Sequence, residues 1–308
     1  IISTQIDQPE MGETNTGDPA NLVDFVTWAM DTYPAENYAL VIWNHGGSWY
    51  GAGTDNSADK DQLTLPEIDA ALAEITAHND GEKLDLLGFD ACLMGSLELY
   101  QMLAPHVDYA VASPELVPAF GWNYINTLFD LQDDPDMNPR QLADSIVDNY
   151  MWFYREQVTN YDVFSMAVAD LAYIPALNAA LADLDDAIAA NPVEAMHAIA
   201  IARNAATVHG GFDDPQFVDI WAAVDLVQFM TLITEASDDE TLIAAAQAVA
   251  TAGEDLIAYY DASDTFSDSG GLSAFFPRTL GLYHKNDNAD LYNASAGAYM
   301  GDWLSFME

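Results

Sequence analysis

Two short apolar runs set most of what this chain can fold into. Residues 38–43 (Tyr-Ala-Leu-Val-Ile-Trp) and 84–89 (Leu-Asp-Leu-Leu-Gly-Phe) are apolar almost throughout. Runs of that length with little alternation are strands buried on both faces. Between them Leu65, Ile68, Leu72 and Ile75 recur at helical spacing. Thr64 caps that helix, Pro66 and Glu67 fill its first turn, and His78-Asn79-Asp80-Gly81 stops it. Strand, helix, strand in this order is a parallel crossover unit, which makes the chain α/β.

Further elements extend the unit. Residues 109–113 and 163–168 read as two more strands. Residues 21–32 form an amphipathic helix with Leu22, Phe25, Val26 and Met30 on one face, and residues 140–160 a long helix. Residues 1–20, 49–62 and 114–124 read as loops, the last rich in aromatic side chains that either wall a cleft or pack locally. From Asp170 the character changes. Residues 171–189, 193–206, 218–236 and 241–260 are Ala-rich helical stretches, and residues 270–277 are a late strand returning to the sheet. Residues 286–295 read as loop and 298–307 as a closing helix. Two parts follow: residues 1–168 as the core, and residues 169–308 as a mostly helical part packed on it, with a strand near 271–276.

Both apolar runs end in reactive residues. The second leads into Asp90-Ala91-Cys92, the single cysteine of 308 residues, with a helical pattern from Met94 to about Leu103. The first leads into Asn44-His45-Gly46-Gly47. Open α/β sheets place ligands beyond the carboxyl ends of their strands. A helix start beside Cys92 would favour a thiolate. Taken singly, Cys92 reads as an inert small hydrophobe and His45 as a turn residue. Taken together at matched strand ends, they read as a nucleophile and its base.

Charge narrows the setting. Hydrophobic residues make up 51% of the chain, ample for a core, yet 50 Asp and Glu face 7 Lys and Arg, a formal net charge of −43. In dilute salt such self-repulsion is severe, whereas at about 1 M the Debye length falls to about 3 Å and screens it. A salt-adapted source is the reading that fits an acidic coat spread over the whole chain. The charge argues against nucleic acid and anionic membrane surfaces as partners, but not against cationic peptides. One cysteine forbids an internal disulfide, and no apolar stretch reaches the ~18 residues of a membrane span.

Residues 38–47 and Phe89-Asp90-Ala91-Cys92-Leu93-Met94 resemble the His and Cys motifs of the clostripain family of cysteine peptidases. Gly17-Asp18-Pro19 with Leu22 and Phe25, Tyr33-Pro34-Ala35, Ser113-Pro114-Glu115, Gly121-Trp122-Asn123-Tyr124, Val218-Asp219-Ile220 and residues 271–277 are similar to looser landmarks of that family. The resemblance implies a caspase-like three-layer α/β sandwich, a mostly parallel sheet flanked by helices, related to gingipains and legumains. It implies a Cys92–His45 dyad, an oxyanion site from the backbone N–H groups of Gly46 and Cys92, and Asp90 on the floor of the S1 pocket. The substrates implied are peptides or proteins with Arg, or Lys, at P1. It also implies a further strand upstream of Ile1, so that the chain reads as trimmed. The likeness departs at Asn44, where many relatives carry Asp, and at Pro114, which leaves Glu115 as the candidate for an auxiliary acidic pocket residue.

Spacing adds to this. Asp90 lies two residues before Cys92, so an extended chain puts both side chains on one face; the plainer reading is an Asp capping the next helix. Lys60, the single basic residue of the 49–62 loop, is either an exposed lysine or a self-processing site after the His strand. Asp133-Asp134 and Asp238-Asp239 are candidate Ca²⁺ contacts or solvated surface, and no cofactor is otherwise required. An extracellular or cell-surface location fits these readings. Two other classes stay open, a catalytically silent binding or cell-surface module and an acyltransferase using the same Cys–His pair.

Overall fold

The computed structural model describes residues 12–158, 160–210 and 222–307. Its centre is a five-stranded sheet of β1 (Ala39–Trp43), β4 (Leu84–Asp90), β5 (Val107–Ala112), β6 (Ser165–Asp170) and β9 (Ile257–Ala262), in the spatial order β1-β4-β5-β6-β9. The first three pair in parallel and β6 is reversed. Strand β9 pairs antiparallel with β6, so four of the five strands point the same way.

The expected crossover is present. Helix α2 (Leu65–His78) joins β1 to β4, and a capping box of Thr64 with Glu67 fixes its start. Alternation along the strands feeds two cores. Leu40, Ile42, Leu87, Phe89 and Ala110 face the side covered by α1 (Pro19–Thr32), α2, α3 (Leu97–Leu103) and helices 174–190 and 240–256. Leu86, Val111, Met166 and Val168 face α5 (Pro139–Trp152) and Trp122 on the other side. Helices therefore flank the sheet on both faces.

Several segments differ from the sequence reading. The expected helix over 241–260 stops at Leu256, and Ile257–Ala262 becomes the outer strand β9. The expected strand near 271–276 exists as β10 (Ser273–Phe275), but it pairs with β8 (Ala223–Asp225), and β8 with β7 (Val208–His209), in a separate three-stranded sheet. It touches the main body through a bridge from Ser273 to Ser96. The loop over 49–62 is a 3₁₀ turn, Ser48–Tyr50, followed by a hairpin of β2 (Ala52–Asp55) and β3 (Asp61–Leu63). Residues 288–295, read as loop, are helical. Val218-Asp219-Ile220 and the upstream residues 1–11 lie outside the described residues. The first core runs from Val26 to Met307, across position 168. No helix among the described residues is long and apolar enough to cross a membrane.

Candidate active site

Parallel pairing of β1 with β4 sets Trp43 beside Asp90. The chain thus leaves both strands at one height, with His45 two residues past Trp43 and Cys92 two residues past Asp90. Neighbouring strands lie about 4.8 Å apart. The two loops also touch. A Cβ on Gly46 would run into the Cys92 carbonyl oxygen and come within 2.9 Å of Met94 Cγ and Sδ. Only glycine fits there.

The His45 side is held by backbone bonds. Gly53 N–H donates to the His45 carbonyl at 3.0 Å, and Gly47 N–H to Gly51 O at 2.9 Å, flanking a bridge between Gly46 and Ala52. In an antiparallel pair, flanking bonds leave the intervening N–H pointing away from the partner. The Gly46 N–H is therefore directed away from the hairpin. The His45 residue is exposed, and its own N–H donates to Asn44 Oδ1 at 2.6 Å. Asn44 in turn donates to Thr54 O at 3.2 Å, so the residue that departs from the family pattern serves as a loop clamp.

Cys92 does not start a helix. Helix α3 begins at Leu97, where Ser96 caps it by accepting from Leu99 N–H at 3.4 Å. Cys92 sits instead in a turn whose next residue, Leu93, has φ 65°. Left-handed non-glycine backbone stores strain and gathers at functional sites; Ser48 beside the His loop shows the same, at φ 55°. The turn is fixed by Leu93 N–H to Glu115 O at 3.0 Å and Gly95 N–H to Ser113 O at 2.8 Å. Val117 N–H donates to the sulfur at 3.3 Å and the thiol donates to Val117 O at 3.6 Å. Burial pushes the thiol up, against the Val117 N–H, with the charges of Glu115 and Asp90 adding to the rise. These surroundings favour the thiol over the thiolate, and the helix start expected to favour the thiolate is not beside Cys92.

Asp90 is buried, at 2% exposure. Its Oδ2 accepts from Trp122 N–H at 3.0 Å and Tyr124 O–H at 2.9 Å, while Oδ1 has no hydrogen-bond partner. Burial pushes its pKa up from the ordinary aspartate value, and those two donors only partly offset the rise. The loop opposite closes on it through Gly121, φ 64°, where a Cβ would lie 2.6 Å from Asp90 Oδ2. A buried carboxylate with a free oxygen is an acceptor waiting for a donor.

The Glu115 carboxylate has its own set of partners. Its carboxylate accepts from Gly210 N–H at 3.1 Å through both oxygens and from Leu116 N–H at 2.8 Å, and it contacts His209 Nδ1 at 3.4 Å. Sequence reasoning passed over His209. One signal was legible, since Val208-His209-Gly210-Gly211 repeats the His-Gly-Gly letters of residues 45–47. Lys60 is exposed at the hairpin tip with φ 65°. It lines a separate cleft with Trp49, Tyr50, Gln62 and Glu67. Among the described residues no group of three or more His, Cys, Asp or Glu could hold a metal ion. Asp239 caps its helix, accepting from Thr241 N–H at 2.9 Å and Leu242 N–H at 3.2 Å.

The model of the clostripain family of peptidases matches residues 2–306. Clostripain of Hathewaya histolytica is 32% identical over 137 residues, 38% of this chain and 25% of that protein, so the match spans about a quarter of the curated relative. Among solved structures, a secreted cysteine protease of this kind from Bacteroides thetaiotaomicron, in complex with an irreversible peptide inhibitor, superposes with a TM-score of 0.69. The two share 20% identity over 95% of this chain and 80% of that one. An inactive zymogen from Parabacteroides distasonis gives 0.63 and 15%, over 94% and 77%. These two likenesses carry the fold.

Proposed function

The chain belongs to the clostripain family, and on that premise we propose that it is a cysteine endopeptidase that cuts after Arg, and more slowly after Lys. The observation that carries the specificity is the buried, unpaired Oδ1 of Asp90, two residues from Cys92. A P1 guanidinium would supply the missing donors and the missing charge as a forked pair, which an ammonium matches less well.

The chemistry runs on few groups. A scissile carbonyl oxygen placed between the N–H groups of Gly46 and Cys92 has its developing charge stabilised there. The Cys92 sulfur attacks the carbonyl carbon, its proton passing to His45. His45 then gives a proton to the leaving amine as the C–N bond breaks, and the thioester left on Cys92 is hydrolysed by water. Because burial holds the Cys92 pKa up, His45 has a part at both stages.

Three companion readings rest on less. An acidic coat of −43 supports work in concentrated salt. A secreted relative supports an extracellular location. Self-processing after Lys60 is supported by its exposure and by a zymogen among the relatives. Because Lys60 sits in a tight turn, that cut would need the hairpin tip to open first.

The test is a fluorogenic panel differing at P1, together with labelling by a basic-P1 chloromethylketone. Arg substrates should be cut fastest, and the label should attach to Cys92. Wild type that cuts nothing and is not labelled would return the chain to a silent binding module. Intact mass of wild type and Cys92→Ala reads the Lys60 cut separately; two uncut, folded samples with active wild type would remove it.

A further inference from the structure

We infer that His209, bridging the buried carboxylates of Glu115 and Asp225, is a positioning residue for the turn that carries Cys92. Its ring is fully buried, with Nδ1 3.4 Å from Glu115 Oε2 and Nε2 3.5 Å from Asp225 Oδ2. A neutral imidazole carries one N–H, so a ring facing a carboxylate at each nitrogen is suited to the doubly protonated form. The contact at Nδ1 lacks hydrogen-bond geometry, so it is chiefly ionic. Phe266 stacks on the ring at 5.3 Å, and Ser269 bridges the far side, 3.4 Å from Nε2 and bonded to Asp225 Oδ2.

From this ring a short chain of contacts reaches the thiol. Glu115 is held by His209, by Gly210 N–H and through its own N–H by Ser113 Oγ at 3.0 Å. Its carbonyl accepts the Leu93 N–H, the residue directly after Cys92, in a left-handed conformation that needs outside support. Two residues past Glu115, Val117 N–H touches the sulfur. Leu93 is also seated against Gly210, where a Cβ would lie 3.0 Å from Leu93 Cδ2. The small sheet of β7, β8 and β10 therefore grips the Cys92 turn through one buried ion cluster. Removing one member leaves its partners as unpaired buried charge.

The role is separable from general stability. His209→Gln keeps the size and one amide donor but removes the cation. Leu93 amide exchange should speed up while Leu86 and Leu87 amides in β4 keep their protection. Iodoacetamide alkylation of Cys92 should change in rate. On an Arg substrate kcat should fall roughly ten- to a hundredfold with KM within about threefold, the signature of a misplaced nucleophile. Unchanged exchange, alkylation and kcat in the folded variant would overturn the inference. If His209→Gln does not fold, Ser269→Ala, which touches the same cluster without altering its charge, should give the same pattern at roughly two- to fivefold; no change there would equally overturn it. The kinetic readout rests on the peptidase reading, but exchange and alkylation do not. Wild type without hydrolysis would therefore sink that reading and leave this one decided by the other two measurements.

Discussion

At the scale of single residues the site is a matter of two carboxylates and one sulfur. Burial raises Cys92, and the neighbouring charges of Glu115 and Asp90 raise it further. Alkylation of Cys92 should therefore keep accelerating well past pH of about 8.5, where an ordinary cysteine has half titrated. Agmatine, an arginine side chain without its backbone, should pull that profile to lower pH by neutralising Asp90. An unshifted profile would mean that a guanidinium does not seat there. Asp90→Asn should cost about 10²-fold or more in kcat/KM for Arg substrates and far less for a neutral P1, read from the same substrate panel. An equal loss on both would mean that Asp90 serves mainly to hold Trp122 and Tyr124. His209 sets a pH limit. Burial pulls its pKa down, but Asp225 and Glu115 together outweigh that and lift it to about 9. Folding thus favours the protonated ring. Its contribution is complete below the unfolded value of about 6.5 and is lost as pH rises through about 9. Asp225, depressed although burial opposes this, adds the acid limit, since its contribution disappears as pH falls. Melting points at fixed salt should fall from about pH 6.5 upward and level off again above about 9. In His209→Gln the alkaline drop should vanish.

At the scale of elements, what could be read from sequence depended on how local the signal was. Strands β1, β4 and β5 announce themselves through apolar runs, and α2 through Thr64 and Glu67, so the placement of His45 and Cys92 just beyond neighbouring strand ends was legible in the sequence. Strand β9 was not. Residues 257–260 follow an Ala-rich helix without a Gly or Pro between them, and the helical period runs on past the last helical turn; the pair Tyr259-Tyr260 was the one sign of a strand. The same is true of the His209 cluster, whose members at 115, 209, 225 and 269 are brought together only by tertiary packing. Helix α4 (Tyr124–Asp133) reverses the usual rule. It buries no residue, and Ile125 and Leu128 face outward. Its polar side holds it instead, through Asp130 Oδ2, which accepts from Ser145 Oγ at 2.8 Å and Asn149 Nδ2 at 2.7 Å. Asp130→Ala should cost about 1–3 kcal/mol in denaturant unfolding. Leu128→Ser should stay within about 0.5 kcal/mol. The opposite ranking would mean that the apolar side carries the helix.

At the scale of the whole molecule the balance of charge decides stability. With 50 acidic and 7 basic residues, repulsion in dilute salt competes with a folding free energy of only about 5–15 kcal/mol. Melting temperature should rise steeply from low ionic strength to multimolar salt; a flat series would refute salt adaptation. Two of the few cations are committed to one strand. Arg155 forks onto Asp261 at 2.7 Å in both contacts and donates to Ala262 O at 2.7 Å. Arg140 reaches Ala258 O at 2.8 Å. Both therefore tie β9 to the helical segment that packs over the second core. The placement of β9 also governs how the chain is made. Its partner β6 leaves the ribosome about 100 residues earlier. At translation speeds of about 5–20 residues per second, β6 waits on the order of 5–20 s with an open edge. An unpaired strand edge invites pairing with another nascent chain. Here every neighbouring chain carries the same dense negative charge. In dilute salt, where that charge is unscreened, the carboxylates that strain the finished protein also keep unfinished copies apart until β9 arrives.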